Sequence, residues 1–209
     1  NQFKTSQVFI SPEGNWTKAV NVAVRERKQQ QTCWVRGPYT SPYFVATRFR
    51  HLILAASGIG ITPALGVMGQ YPGLSRTKIL VWMTRSKVMI KFFAPLMKDA
   101  HLSIVFYTGK DPITSEELDS IVVHGNIYVQ QARPKCLEET IESVVLRFEN
   151  SFEALSNPLN QARSLDLIQQ RHKKSWCLLY CGGSVLVMDK LCALATKHSM
   201  GWKCEFFDW

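Results

Sequence analysis

The sequence has no apolar run that approaches the ~20 residues a membrane-spanning helix needs. We therefore expect that this stretch does not itself cross a bilayer. No charged and then apolar leader follows Asn1, so we expect no signal peptide within the stretch and interpret it as part of a longer protein. Internal repeats are also absent. A length of 209 residues suits one domain together with a fragment of another.

The six cysteines include no CxxC pair and no repeated spacing. A zinc site or a disulfide scaffold needs closer and more regular spacing. We therefore interpret the cysteines as reduced thiols in a cytosolic setting and predict no metal site. They are Cys33, Cys136, Cys177, Cys181, Cys192 and Cys204.

Lysine and arginine exceed the acidic residues and give a net charge of +9. Such an excess suits a polyanionic small molecule, an anionic membrane face or nucleic acid. The basic residues form no dense block, and no motif that reads DNA or RNA is present. Nucleic acid is therefore the weakest of the three interpretations.

Six short apolar runs alternate with amphipathic stretches over most of the chain. Runs that are apolar on both faces are typical of buried parallel strands, and the stretches between them are typical of crossover helices. We predict strands at Leu52–Ala56, Ile79–Met83, Leu102–Tyr107, Ile127–Gln130, Trp176–Tyr180 and Lys203–Phe207. We predict helices at Pro63–Gln70, Met89–Met97, Cys136–Phe148 and Val185–His198. This order indicates an α/β fold with a doubly wound parallel sheet over residues 48–209.

Residues 1–47 lack this alternation and indicate the end of a β domain. We predict a helix over Thr17–Arg25 and a strand over Thr32–Val35 that the following Gly37-Pro38 turn ends. Residues 150–174 are polar and have no strong apolar period, so we predict an insertion or a mobile loop there.

The strongest local signal is a buried strand that runs into Gly58-Ile59-Gly60-Ile61-Thr62-Pro63. Glycines let a phosphate-bearing ligand approach the backbone, and a helix N-terminus offers unpaired N–H groups with partial positive charge. We expect Thr62 to cap the helix and Pro63 to occupy its first position. The alternative is a plain strand-to-helix turn in which the glycines serve geometry alone.

The end of the next strand carries Arg85 and no acidic residue. At this place in such sheets an acid favours the free ribose of NAD, whereas arginine favours the 2′-phosphate of NADP. Arg133, just after the fourth strand, is a second candidate to bind that phosphate. The alternative for both residues is a solvated surface charge.

A later strand ends in Cys181-Gly182-Gly183. Gly182 and Gly183 could form the flat floor that a nicotinamide ring needs, with the Cys181 thiol beside it. A buried cysteine followed by a turn is the alternative. Trp209 could stack on a flat ring or pack as part of the last strand.

Taken in order, these motifs resemble the ferredoxin-reductase superfamily, and within it the dehydrogenase region of NADPH oxidases and transmembrane ferric reductases. The most specific match is the segment from Gly58 to Pro63, which is similar to the family's NADPH pyrophosphate loop. The other matching segments are Gly14-Asn15-Trp16-Thr17, Gly37-Pro38-Tyr39, Trp82-Met83-Thr84-Arg85, Tyr107-Thr108-Gly109, Ala132-Arg133-Pro134 and Cys181-Gly182-Gly183. Trp209 stands where the family places an aromatic ring over the flavin.

The resemblance implies a partial antiparallel FAD-binding barrel over residues 1–47, followed by the NADPH-binding domain. It implies hydride transfer from NADPH to FAD, served by Cys181 and Trp209, and then single-electron transfer to a haem, ferric iron or oxygen. Further cofactor-binding residues that it implies are Gly14, Trp16 and Thr17 for FAD, and Thr108 and Gly109 for NADPH. It also implies an upstream haem-bearing membrane domain as partner, with this soluble part at the cytoplasmic face of the membrane.

The chain departs from the family pattern at several positions. The Arg-x-Tyr/Phe-Ser segment that binds FAD in the family is absent from this stretch, so we expect the chain alone to bind NADPH weakly and turn over poorly. Ala132 replaces a glycine, and Gly183 replaces a proline. The acid often found two places before the terminal aromatic is Phe207 here, and we assign no catalytic role to Glu205 or Asp208.

Three other interpretations stay open. The first is a soluble reductase of the same superfamily that serves a ferredoxin, a globin or a nitrate-reducing partner. The second is a non-catalytic NADPH-sensing module. The third is a basic nucleic-acid-binding α/β domain, whose affinity would fall steeply with salt.

Overall fold

A computed structural model describes residues 8–12, 14–27, 34, 36, 41–70, 76–122, 125–134, 136–156 and 175–206. Within these ranges the chain forms six strands and six α-helices. The strands are β1 (His51–Ser57), β2 (Thr77–Thr84), β3 (Leu102–Tyr107), β4 (Ile127–Gln130), β5 (Trp176–Gly182) and β6 (Gly201–Phe206). The helices are α1 (Asn15–Arg27), α2 (Ile61–Gln70), α3 (Lys87–Phe93), α4 (Ser115–Ile121), α5 (Leu137–Ser156) and α6 (Val185–Lys197).

The six strands form one sheet in the order β4-β3-β2-β1-β5-β6, and every neighbouring pair is parallel. Within the sheet, β1 is followed outward on one side by β2, β3 and β4. The chain then returns to the other side of β1, where it forms β5. This reversal is the signature of a doubly wound sheet, so the predicted α/β class is confirmed.

Alternate side chains of the strands enter two separate cores. Leu52, Leu54 and Ala56 of β1 pack on one face of the sheet, with α2, α3 and α4. Ile53 and Ala55 pack on the other face, with α5 and α6. Because successive strand residues point to opposite faces, a strand covered on both sides must be apolar throughout, which explains the continuous runs in the sequence.

Several helices differ from the prediction, and α4 was not predicted at all. The helix predicted over Met89–Met97 ends at Phe93 and continues as a 3₁₀ turn over Ala94–Met97. Pro95 explains the break, because it has no N–H and its ring crowds the carbonyl one turn earlier. Helix α5 extends to Ser156, so the start of the loop predicted over residues 150–174 is wrong.

The segment before β1 is tied to the sheet by Arg76, which immediately precedes β2. A 3₁₀ turn covers Pro42–Arg48. The Arg76 guanidinium donates hydrogen bonds to the carbonyl oxygens of Ala46 and Phe49, at 2.9 and 3.2 Å. The turn is thereby fixed at the amino end of the central strands.

The FAD-barrel assignment of residues 1–47 stays a prediction. The helix predicted over Thr17–Arg25 is present as α1. The strand predicted over Thr32–Val35 lies outside the described residues except for Trp34, and the Gly37-Pro38-Tyr39 segment lies outside them entirely. Residues 157–174 and Trp209 also lie outside them.

Candidate nucleotide-binding site

The reversal of the chain between β1 and β5 creates a crevice at the carboxyl ends of these strands. The connection from β1 leads to one side of the sheet, and the connection from β5 leads to the other. Open α/β sheets bind ligands at this position. The two glycine segments found in the sequence, after Ser57 and after Cys181, lie here side by side.

The first segment is a tight 3₁₀ turn over Gly58–Gly60 that leads directly into α2. Gly58 has φ = +54°, in the left-handed region that favours glycine. Its carbonyl accepts a hydrogen bond of 2.8 Å from the indole Nε1 of the buried Trp82 on β2. The turn is thus held in place from the neighbouring strand.

Gly60 lies against the end of β5 with no space for a side chain. A Cβ at Gly60 would collide with the carbonyl group of Cys181, which is backbone and cannot move aside. A Cβ at Gly182 would likewise collide with the Ser57 hydroxyl. The two glycine segments are therefore in direct contact. Packing against backbone requires glycine at position 60, whereas a side chain at position 182 would displace the Ser57 hydroxyl.

A hydroxyl network that the sequence did not suggest joins the two segments. The Tyr180 hydroxyl lies 3.2 Å from the Ser57 Oγ, and it accepts from the backbone N–H of Ser184 at 3.2 Å. Ser57 and Tyr180 are far apart in the sequence, and a serine or tyrosine at the end of a strand is no distinctive sequence signal. The network fixes the width of the crevice.

Helix α2 begins at Ile61, two residues earlier than predicted. The expectation that Thr62 caps the helix and that Pro63 occupies its first position is therefore wrong. The 3₁₀ turn supplies the start instead, and the Ile61 N–H donates to the Gly58 and Ile59 carbonyls. Thr62 and Pro63 lie within the first turn, where a proline is tolerated because the early N–H groups have no partner in the helix.

Arg85 is exposed at the end of β2. The next residue, Ser86, caps α3 by accepting a hydrogen bond of 3.2 Å from the Met89 N–H. Thr108, at the end of β3, donates its N–H to the Thr84 carbonyl at 2.9 Å. Gly109 follows, and a Cβ there would lie 2.6 Å from the Arg85 carbonyl oxygen. The structure thus brings Arg85, Thr108 and Gly109 together.

Arg133 lines a cavity of about 600 Å³ between the end of β4 and the start of α5. Arg133 is exposed, which agrees both with a role in phosphate binding and with the alternative of a solvated surface charge. Its neighbour Gln131 holds the β3–α4 connection in place. The Gln131 amide accepts from the Ile113 N–H at 2.7 Å and donates to the Ile113 carbonyl at 2.9 Å.

Cys181 is completely buried, and Gly183 beside it is exposed. Burial raises the pKa of the Cys181 thiol to about 12, with a smaller contribution in the same direction from Glu205. The thiol is thus neutral at physiological pH. Tyr43 lies in the same core, and its buried hydroxyl has no hydrogen-bond partner among the described residues.

Gly14, Trp16 and Thr17 form their own turn at the start of α1. The Gly14 N–H donates to the Thr17 Oγ1, and this hydroxyl donates to the Gly14 carbonyl, both at 3.0 Å. Trp16 is 70% exposed, which leaves its indole available to a further surface. The predicted role of these residues in FAD binding stays a prediction.

The described residues contain neither a candidate metal cluster nor a candidate membrane span. No group of three or more His, Cys, Asp or Glu side chains in the described ranges could hold a metal ion. None of the helices that the structure describes combines the length and the apolarity of a membrane span.

Comparison with known proteins yields a weak structural similarity. No protein-family model matches the chain, and no curated protein matches it. The ferredoxin-NADP+ reductase from Plasmodium falciparum is similar to 81% of this chain, with 10% sequence identity and a TM-score of 0.34. The chain spans 57% of the length of that protein. Because this similarity is weak, the fold is assigned from the strand order and packing described above.

Proposed function

We propose that the carboxyl edge of this sheet binds NADPH, as part of a flavin-dependent oxidoreductase that transfers a hydride from NADPH to FAD. The observation that carries the proposal is the direct contact between the turn at Gly60 and the end of β5 at Cys181. This contact fixes the Gly58–Gly60 turn and the amino end of α2 at the sheet reversal, where open α/β sheets bind ligands and a helix N-terminus favours a diphosphate.

Gly58, Gly60 and the first turn of α2 are the groups that would hold the pyrophosphate. The Ile61 N–H is already bonded within the preceding 3₁₀ turn, so the attraction for an anion comes from the partial positive charge that the helix dipole places at the amino end of α2. Pro63 contributes no N–H, and the Thr62 hydroxyl lies in the same turn. No acidic residue stands in the first turn to repel an anion.

Arg85 and Arg133 would select the 2′-phosphate of the nucleotide. Both are exposed after the carboxyl ends of parallel strands, β2 and β4, which meet at the same edge of the sheet. A guanidinium can donate two parallel hydrogen bonds to one phosphate. The residue after Arg85 is Ser86, and no carboxylate is present to accept from a free ribose hydroxyl.

Gly182 and Gly183 would form the floor beneath the nicotinamide, with Cys181 behind it. Because the pKa of the Cys181 thiol is raised to about 12, this residue acts as a neutral packing group, not as a base. Bound NADPH supplies a hydride, and FAD accepts it and releases electrons one at a time. The chain's own residues position these groups.

The FAD contacts of Gly14, Trp16 and Thr17, and the stacking of Trp209, belong to the same proposal. So do a haem, ferric iron or oxygen as the final acceptor, and an upstream haem-bearing membrane domain as the partner. The strand-end geometry supports the nucleotide part of the proposal, and the resemblance of the sequence motifs supports the remainder.

Calorimetric titration with NADPH and NADH tests the proposal. We expect the chain to bind NADPH more tightly than NADH, and the double change Arg85→Glu with Arg133→Glu to remove most of that preference. The matched control is Arg50→Glu with Lys98→Glu, because both residues are exposed at the opposite edge, before β1 and before β3. An unchanged preference in the Arg85/Arg133 variant would overturn the proposal.

A further inference from the structure

The cavity beside Arg133 lies at the far end of the nucleotide path from the sheet reversal. It is lined by residues from the end of β4 and the start of α5, whereas the crevice lies between β1 and β5. Three strand spacings of ~4.8 Å separate β1 from β4, or ~14 Å in total. A dinucleotide with its pyrophosphate at Gly60 would therefore place its other end near this cavity.

The cavity combines an apolar floor with few charges. Phe106 of β3, which is 1% exposed, forms part of the lining, as do Ala132 and Pro134. The charged lining residues are Arg133 and Glu139. Pockets that combine apolar lining with a few placed polar groups are typical of small-molecule sites.

The wall that α5 contributes to the cavity presents acceptors of hydrogen bonds. The Thr140 hydroxyl donates to the Cys136 carbonyl at 3.0 Å, and the Ser143 hydroxyl donates to the Thr140 carbonyl at 2.9 Å. Each hydroxyl has one proton, so both can only accept from a ligand. Glu139, with its carboxylate, is the strongest acceptor on this wall.

Among the described residues, no cation is paired with the Glu139 carboxylate. The Glu139 carboxylate raises the pKa of the nearby Cys136 thiol. The neighbouring acid on α5, Glu138, is by contrast 3.3 Å from Lys190.

We propose that this cavity takes the adenine of the nucleotide, and that Glu139 determines base specificity by accepting a hydrogen bond from the 6-amino group. The inference rests on the proposed function. Carboxylates accept from exocyclic base amines in the same way in protein–DNA interfaces. A base with an oxygen at this position and no proton on N1 would place two acceptors opposite each other.

The test compares NADPH with its 1-methylhypoxanthine analogue, in which an oxygen replaces the 6-amino group and a methyl group replaces the N1 proton that hypoxanthine itself would donate to the carboxylate. We expect the unmodified chain to bind NADPH about tenfold more tightly, the effect of one hydrogen bond to a charged group. Glu139→Gln should bring the two affinities to within about twofold, because its amide can either donate to the oxygen or accept from the amine. Glu138→Gln is the matched control and should keep the tenfold preference.

The outcomes separate this inference from the proposed function. Equal affinity of the unmodified chain for the two nucleotides, or an unchanged ratio in Glu139→Gln, would overturn the role of Glu139 and leave NADPH binding intact. Failure of the chain to bind either nucleotide, at concentrations high enough to detect weak binding, would overturn both proposals. Circular dichroism of each variant verifies that the fold is retained.

Discussion

At the scale of single residues, the site depends on positions where a side chain is excluded. At Gly60 an added Cβ would meet the Cys181 backbone carbonyl, and at Gly182 it would meet the Ser57 hydroxyl. Gly66, in the middle of α2, has nothing within 4 Å of an added Cβ. A side chain is therefore excluded at Gly60, whereas Gly66, only six residues later, has space for one.

Gly60→Ala should lower the free energy of unfolding by about 2 kcal/mol or more, because the new methyl group pushes the turn after β1 away from the end of β5. Gly66→Ala should raise it by about 0.5–1 kcal/mol, because alanine costs less chain entropy in a helix. Urea denaturation of both variants measures the difference. Equal effects of the two changes would contradict the contact between Gly60 and β5.

The cysteines differ in reactivity for structural reasons. Cys181 is buried and has its pKa raised to about 12, whereas Cys136 is exposed and lines the cavity beside Arg133. We expect a maleimide at neutral pH to label Cys136 and to leave Cys181 unmodified in the folded chain. NADPH should slow the labelling of Cys136, since both occupy the same cavity. Peptide mass mapping with and without nucleotide measures both effects.

At the scale of secondary-structure elements, one carboxylate links α3 to α4. Glu117 accepts from the Thr114 N–H at the start of α4, and it lies 3.0 Å from the ammonium groups of both Lys87 and Lys91 on α3. The hydrogen bond from the Thr114 backbone is the largest of the causes that lower the pKa of Glu117 to about 2. The residue therefore serves as a helix cap and an interhelical bridge at once.

Glu117→Gln should destabilise the chain at neutral pH, and the effect should vanish in acid. Because the folded pKa is about 2 and the ordinary value is 4.5, the stabilisation is fully present above pH 4.5 and is lost as the pH falls towards 2. Urea midpoints of the variant and the unmodified chain should thus converge in acid. Glu116→Gln, in the same helical turn without the bridge, is the control.

The connection between β3 and α4 is held to β4 by Gln131 through its two hydrogen bonds to Ile113. Gln131→Glu keeps the acceptor and loses the donor, so it should lower the free energy of unfolding by about 1 kcal/mol. Gln130→Glu introduces the same charge one residue earlier and should have a smaller effect. Chemical denaturation distinguishes them, and identical losses would argue against the Ile113 bonds.

At the scale of the whole molecule, nucleotide binding should stabilise the entire sheet, because the ligand would contact the ends of several strands at once. At a concentration of about 100 times its dissociation constant, a ligand that binds only the folded state adds about 2.7 kcal/mol. We therefore expect NADPH to raise the Tm by several degrees in differential scanning calorimetry. The rise should shrink with added salt, since the net charge of +9 attracts the anionic ligand. A salt-independent rise would contradict the role of charge.

Much of the fold could be predicted from the sequence because its signals are local. The runs at β1 and β5 are apolar at every position, which a strand covered on both faces requires. The glycine turn after β1 and the arginine after β2 could be recognised in the same way. Pro95, which breaks the helix, is visible in the sequence. The apolar residues of α3 nevertheless have helical spacing, so the break was not predicted.

Only the tertiary structure decided which strand ends meet. The contact of Gly60 with Cys181 and the bond between Ser57 and Tyr180 both join residues more than a hundred positions apart. Ser57 and Tyr180 are separated by 123 positions. The cavity that combines Arg133 with Glu139 likewise exists because α5 packs beside the end of β4. Local preferences determine which segments become strands, whereas the neighbours of each strand follow from how both faces of the sheet are buried together.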